Sequence, residues 1–127
     1  IDSTFFEDVK TDKKFDLVFV GNLSYAPNKE AVYYLIDYII SKSNYTCLIS
    51  GANPSNSLRS KIDKSTNVTL WADVDDIRFS YCSAKIFIAP LFIGTGLQNK
   101  LLEAMALGIP CITTDLVNSS LKAKVEK

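Results

Sequence analysis

Histidine is absent from the 127-residue chain, and this absence narrows the chemistry that its residues can perform. Without histidine the chain has no serine–histidine or cysteine–histidine nucleophile and no histidine metal ligand. Chemistry must come from carboxylates, lysines, hydroxyls and backbone amides, and we expect no metal site and no cofactor. Cysteine is scarce too: Cys47, Cys82 and Cys111 are odd in number and lie among apolar neighbours. This pattern favours buried, reduced thiols over disulfides or a metal site.

Long hydrophobic runs and an excess of one charge are also missing. No apolar run reaches the roughly 20 residues that a membrane span needs, and the first residues, IDSTFFEDVK, lack the regions of a signal peptide. Fourteen basic residues balance fourteen acidic ones, so no nucleic-acid surface is indicated. We therefore expect a cytoplasmic location; the cytoplasmic face of the membrane remains open for a longer protein.

Apolar runs alternate with helix-like segments along the whole chain. The expected strands are FDLVFVG, YTCLISG, NVTLW, AKIFIAP and IPCITTD, and the expected helices are NKEAVYYLIDYIISK, NSLRSKIDK, DDIRFSYCS and GLQNKLLEAMALG. Strands that are apolar throughout and joined by helices predict parallel pairing. The right-handed crossover rule then predicts an α/β fold with a Rossmann-like, doubly wound parallel sheet. In the first helix, Ala31, Leu35, Tyr38 and Ile39 are expected to share the buried face.

The glycine-containing loops indicate where a ligand would bind. In an open parallel sheet, ligands bind at the carboxyl ends of the strands. If the first and fourth strands are neighbours, Gly21 and Asn22 face Gly94, Thr95 and Gly96 across a crevice. The helix that follows Gly96 would point its unpaired N–H groups into this crevice and form a phosphate cradle. A plain turn is the alternative interpretation of the two glycines.

Two charged residues continue the same helix face. Gly96, Lys100 and Glu103 follow one another at intervals of four and three residues. Lys100 can neutralise a phosphate, and a carboxylate about 10 Å along the helix can accept hydrogen bonds from a sugar diol. This order matches phosphate followed by ribose. The alternative is that Lys100 and Glu103 form a solvated pair on the exposed stripe of a buried helix.

At these residues the sequence resembles the carboxyl-terminal, donor-binding domain of retaining glycosyltransferases with the two-domain GT-B fold, in the group 1 family. The resemblance rests on FVGNLSYAPNKEAVYYL, NVTLWADVDDIRFSYCSAKIFIAPL and GTGLQNKLLEAMALGIPCITTD. It implies an interdomain linker at residues 1–14 and a nucleotide-sugar-binding domain at 15–127, truncated at its carboxyl end. A complete small domain with frayed ends is the alternative. The resemblance also implies a hexosyl-type transferase, for polysaccharide biosynthesis, whose acceptor is held by a missing amino-terminal domain.

The resemblance assigns roles to individual residues. Glu103 matches the family glutamate that binds the ribose, and Val74 lies in the loop that contacts the base. The family glutamate that contacts the transferred sugar falls on Thr95, and the family arginine of the diphosphate site falls on Asn22. The departure at Thr95 leaves the sugar contact without its usual residue, and we interpret it as variation within the family. Asn22 carries no charge that could replace the arginine at the diphosphate. Lys100 is then the expected cation at the diphosphate and the candidate stabiliser of the leaving group.

Two other functions fit parts of the sequence. A nucleotide-sugar epimerase of related fold would bind the same donor, but it needs acid and base groups around the sugar, and the chain offers few. A flavodoxin-like receiver module needs an aspartate at the end of a central strand. The first strand ends in Gly21 and Asn22 and the fourth in Pro90, which disfavours that module. Glycosyl transfer is the leading interpretation, although we expect the chain alone to be inactive.

Overall fold

The described residues of the computed structural model, 13–89 and 97–113, form a five-stranded parallel sheet with helices between its strands. The strands are β1 (Phe15–Val20), β2 (Cys47–Gly51), β3 (Val68–Ala72), β4 (Ala84–Ala89) and β5 (Cys111–Thr113). Their order across the sheet is β3-β2-β1-β4-β5, and neighbouring strands are parallel. This is the strand order of a doubly wound sheet. The predicted Rossmann-like fold class is confirmed, and β1 and β4 are neighbours as expected.

Each pair of consecutive strands is joined by a helix, as the alternating sequence pattern predicts. The helices are α1 (Ala26–Tyr34), α2 (Asn56–Asp63), α3 (Ile77–Cys82) and α4 (Leu97–Ala106). A proline in the first turn starts α1, where its missing N–H costs no hydrogen bond. Side-chain caps start the next two helices: Ser55 accepts from the Leu58 N–H, and Asp76 accepts from the Arg78 N–H.

The core lies on the central strands, because these are covered on both faces. Phe19, Leu48 and Phe87, which come from β1, β2 and β4, are fully buried. β3 lies at one edge of the sheet and is only partly buried after its first residue. A continuous apolar strand therefore marks a central position, as expected for a parallel sheet with helices on both sides.

The first helix differs from its expected pattern at Tyr38. The regular α-helix ends at Tyr34, and a π-helical turn follows over Leu35–Ile39. Leu35 is buried as expected, but Tyr38 is 59% exposed and its ring contacts that of Tyr34. The prediction for Tyr38 is wrong because the backbone hydrogen bonds of a π turn join residues i and i+5 instead of i and i+4. The extra residue in the turn rotates the later side chains around the helix axis.

Several sequence predictions concern residues outside the described part. Residues 1–12 of the expected linker and residues 114–127 lie there, so the boundary between 1–14 and 15–127 stays a prediction. No described helix is long and apolar enough to cross a membrane. Residues 13–89 and 97–113 contain no cluster of three or more histidine, cysteine or carboxylate side chains that would hold a metal ion.

Candidate functional site

A cavity of about 250 Å³ opens at the carboxyl ends of β1, β2 and β3 and is faced by α4. It is lined by Val20, Gly21 and Asn22, by Gly51 and Ala52, by Asp73, Val74 and Ile77, and by Lys100. Four of the residues singled out from the sequence, Gly21, Asn22, Val74 and Lys100, therefore come together at one place. Three more, Gly94, Thr95 and Gly96, lie outside the described residues, and their role stays a prediction.

The loop after β1 is held by its own side chains. Asn22 Oδ1 accepts hydrogen bonds from the Ser24 N–H at 2.9 Å and from Ser24 Oγ at 2.8 Å. The Leu23 N–H donates to the Ala52 carbonyl, which ties this loop to the loop after β2. The side-chain oxygen of Asn22 thus shapes a turn of the kind that asparagine commonly closes. A direct contact between Asn22 and a diphosphate stays a prediction.

Asn28 lies in the first turn of α1, next to this loop, and the sequence analysis did not single it out. Its side chain is only 7% exposed, and its Nδ2 donates to the Asn22 carbonyl at 2.9 Å. A Cβ placed on Gly21 would lie 2.9 Å from that same nitrogen, so glycine leaves room for the amide. Asn28 Oδ1 is buried and has no hydrogen-bond partner among the described residues. The sequence signal that could have identified Asn28 is its position directly after Pro27, in the first turn of the helix.

The loops after β2 and β3 close the other side of the cavity. The Asp73 N–H donates to the Gly51 carbonyl at 2.9 Å, and Asp73 Oδ1 accepts from the Asn53 N–H at 3.1 Å. Asn53 and Asp73 both have positive φ angles, of 58° and 55°. Asparagine and aspartate tolerate this region better than other side chains. The cross-loop bonds therefore hold an unusual backbone that places Val74 and the Asp73 carboxylate at the cavity.

Lys100 and Glu103 lie one turn apart on α4. Their side chains are 34% and 24% exposed, and Lys100 Nζ lies 4.0 Å from Glu103 Oε1. Lys100 lines the cavity, whereas Glu103 is not among the described residues that line it. The Lys100–Glu103 pair of the alternative interpretation is therefore present, although Glu103 is three-quarters buried. Its assignment to a ribose stays a prediction.

The carboxylate of Glu103 is held by Tyr81, on α3. Tyr81 Oη donates a hydrogen bond of 2.6 Å to Glu103 Oε1, and the tyrosine is fully buried. Burial, helped by this carboxylate, raises the pKa of Tyr81 far above its ordinary value, so the phenol stays protonated and remains a donor. The sequence analysis missed Tyr81 because a tyrosine in a short apolar helix looks like an ordinary core residue.

A larger cavity, of about 480 Å³, lies elsewhere, between the end of the first helical segment and the end of α2. Its lining includes Asp37, Lys61 and Lys64, together with Asn67 just before β3. It therefore lies towards the amino end of β3, away from the carboxyl ends where parallel sheets bind ligands. Lys61 is already paired with Asp37. Size alone does not make this cavity the better site.

A doubly wound sheet with a cavity at the carboxyl ends of its strands is typical of Rossmann-like domains. The family model described as Glycosyl transferases group 1 matches residues 14–125, which is most of the chain. The chain belongs to that family, as the sequence motifs predicted. No curated protein sequence matches it.

A solved structure supports the fold. The crystal structure of an S. aureus TarM mutant, in complex with fondaparinux, alpha-GlcNAc-glycerol and UDP, matches with a TM-score of 0.64 and 16% sequence identity. The match covers 88% of this chain and 24% of the TarM chain. The chain therefore spans about a quarter of the length of TarM, and at this identity the likeness concerns the fold.

Proposed function

We propose that the chain binds a nucleoside-diphosphate sugar and forms the donor-binding part of a retaining, hexosyl-type glycosyltransferase. The observation that carries the proposal is the cavity at the ends of β1, β2 and β3, into which α4 brings Lys100. Family membership supports glycosyl transfer, and the TarM structure contains UDP. The acceptor would be held by an amino-terminal domain, as in other two-domain transferases.

The layout of the cavity supports a definite orientation for the nucleotide. Gly21 and Asn22 follow β1, and Val74 follows β3, two strands away; Lys100 comes from α4, which follows β4, the other neighbour of β1. Neighbouring strands are about 4.8 Å apart, so the ends of β1 and β3 are separated by about 10 Å. The diphosphate would lie near Lys100 and the base near Val74. Glu103 would accept hydrogen bonds from the ribose.

The proposed mechanism is electrostatic. Negative charge gathers on the leaving diphosphate as its bond to the sugar breaks, and Lys100 would stabilise that charge. The amides of Gly94, Thr95 and Gly96 and the start of α4 would add to this effect. A donor held by its ribose and base presents the reacting carbon in a fixed direction, which removes part of the entropic barrier. The donor is a substrate, and the proposal includes no cofactor.

A titration with UDP, GDP and ADP, followed by the thermal midpoint, tests the proposal. At least one of the three should raise the midpoint of the parent chain, because a ligand that binds only the folded state stabilises it. Lys100→Ala should weaken that binding about tenfold, since hydrogen bonds to charged groups contribute roughly 1.5–3 kcal/mol.

Lys64→Ala is the matched control, because it removes a lysine from the larger cavity and leaves the proposed site intact. Its affinity should equal that of the parent. If Lys64→Ala weakens binding and Lys100→Ala does not, the nucleotide binds in the other cavity and the proposal is wrong. If none of the three diphosphates binds the parent, the proposal also fails.

A further inference from the structure

A short hydrogen bond from a buried phenol joins α3 to α4 beside the proposed site. The Tyr81 ring is fully buried and packs against Phe87, with ring centroids 5.5 Å apart. A ring enclosed in this way has one position, because core side chains occupy well-defined rotamers at high packing density. Its hydroxyl group is therefore fixed relative to the sheet, although α3 has only six residues.

The hydroxyl selects one oxygen of the Glu103 carboxylate. Tyr81 Oη lies 2.6 Å from Glu103 Oε1, within the range of a charge-assisted O–H···O⁻ bond. Lys100 Nζ lies 4.0 Å from that same oxygen. Glu103 Oε2 makes no hydrogen bond or ion pair with the described part of the chain. One oxygen thus anchors the carboxylate, and the other remains available as an acceptor.

We infer that Tyr81 is a positioning residue, which holds the Glu103 carboxylate so that Oε2 accepts hydrogen bonds from the ribose hydroxyls of the donor. The inference rests on the proposed function. A free glutamate side chain would have to lose rotamer freedom when the donor binds. The buried phenol lowers that cost, because its hydrogen bond orients the carboxylate before the donor binds.

Discrimination between ribose and deoxyribose measures this role directly. The probes are UDP, GDP and ADP, each compared with its 2′-deoxy form. We expect the parent chain to favour the ribose form by about tenfold, the usual effect of one hydrogen bond to a charged group. Tyr81→Phe keeps the ring and removes only the hydroxyl, and should reduce the preference to about twofold. Binding of the 2′-deoxy form should change little.

Two further variants separate positioning from a merely structural effect. Glu103→Gln still offers an oxygen to Tyr81 but loses the charge, and it should also lose most of the ribose preference. Tyr45→Phe removes a hydroxyl from an exposed ring and should leave the preference unchanged. If Tyr81 served only the packing of the core, Tyr81→Phe would lower thermal stability and would weaken binding of the ribose and 2′-deoxy forms equally.

The outcomes are distinct. A reduced preference in both Tyr81→Phe and Glu103→Gln supports the inference. A preference that falls in Glu103→Gln and persists in Tyr81→Phe overturns the inference and leaves the proposed function standing. If no nucleotide binds the parent, both fail together.

Fluorine NMR keeps the test valid if Tyr81→Phe does not fold. With 3-fluorotyrosine incorporated at position 81 of the parent chain, the fluorine resonance should shift more with a ribonucleotide than with its 2′-deoxy form. Equal shifts with the two forms would overturn the inference.

Discussion

Two glycines of the described chain are required for different physical reasons. A Cβ on Gly51 would overlap the carbonyl oxygen of Gly21. Position 51 must therefore lack a side chain if the loops after β1 and β2 are to pack against each other. Gly108 follows α4 with a φ of +79°, and a Cβ there would meet nothing within 4 Å. Gly51 is therefore needed for close approach, and Gly108 for a left-handed turn that ends a helix.

Alanine at these two glycines should have different effects. Gly51→Ala forces two backbone segments apart beside the candidate site, and we expect a loss of about 3 kcal/mol, the upper end for overpacking. Gly108→Ala should cost about 1 kcal/mol, the strain of a left-handed alanine. Urea unfolding of both variants measures these values, and equal losses would contradict the explanation.

The same pair separates site effects from stability effects. Gly51 lines the cavity, so Gly51→Ala should weaken nucleotide binding at a temperature where the variant is still folded. Gly108→Ala should bind like the parent.

At the scale of elements, the short helix that carries Tyr81 depends on its N-cap residue, Asp76. Asp76 Oδ1 accepts from the Arg78 N–H at 3.1 Å and from Arg78 Nε at 2.9 Å, and Oδ2 accepts from a guanidinium nitrogen at 2.6 Å. The pKa of the Asp76 carboxyl is below its usual value, mainly because of the side-chain hydrogen bonds from Arg78. Burial has a smaller effect, which raises the pKa. Protonation of Asp76 would therefore weaken the start of α3.

The sign of the pH effect follows from this lowered pKa. A carboxyl with a depressed pKa in the folded state contributes stability above its unfolded pKa, near 3.9, and loses it as the pH falls through the folded pKa. We expect the free energy of unfolding to fall below about pH 4. In Asp76→Asn this acid-induced fall should be smaller, because asparagine keeps a capping oxygen that does not titrate.

Ser55→Ala is the matched control for the pH experiment. Ser55 caps α2 through a neutral hydroxyl, which accepts from the Leu58 N–H at 3.2 Å. Loss of this hydroxyl in Ser55→Ala should lower the free energy of unfolding by about 1 kcal/mol, and by the same amount at pH 6 and at pH 3. An Asp76→Asn variant with the same pH slope as the parent would show that Asp76 is not part of the acid sensitivity.

At the scale of the whole molecule, the thiols report how the core opens. All three cysteines are reduced thiols; Cys47 and Cys82 are buried as expected, whereas Cys111 in β5 is only half-buried. Burial raises the pKa of Cys47 to about 12. Cys47 lies in β2, between β1 and β3, so a reagent reaches it only when the sheet opens.

Labelling with an aromatic disulfide at pH 8 should therefore distinguish the sites. We expect Cys111 to react first and Cys47 to react at a rate that follows global unfolding, because burial keeps the reagent away from Cys47 and disfavours its thiolate. Mass spectrometry of the labelled peptides gives the order. A nucleotide that binds the folded chain should lower the labelling rate of Cys47 further. Labelling of Cys47 as fast as Cys111 would contradict a single protected core.

The fold class, the pairing of β1 with β4 and four of the nine described residues that line the cavity could be predicted from the sequence. Continuous apolar runs separated by helices predict parallel strands, and the crossover rule places β1 beside β4. Once that order is known, the residues after each strand must lie at one edge. Gly21, Asn22 and Lys100 could be chosen in this way, because strand ends and helix spacing are local properties, whereas Val74 came from the resemblance to the family.

Which atoms meet at that edge depends on how the elements pack against one another. Tyr81 and Glu103 are 22 residues apart, and Asn53 and Asp73 are 20 apart. Periodicity predicts which face of an element is buried, but the partner of a side chain depends on how two elements pack. The π turn that exposes Tyr38 has the same cause, since packing overrides local pattern there. The overlap that requires Gly51 likewise exists only where two loops are folded against each other.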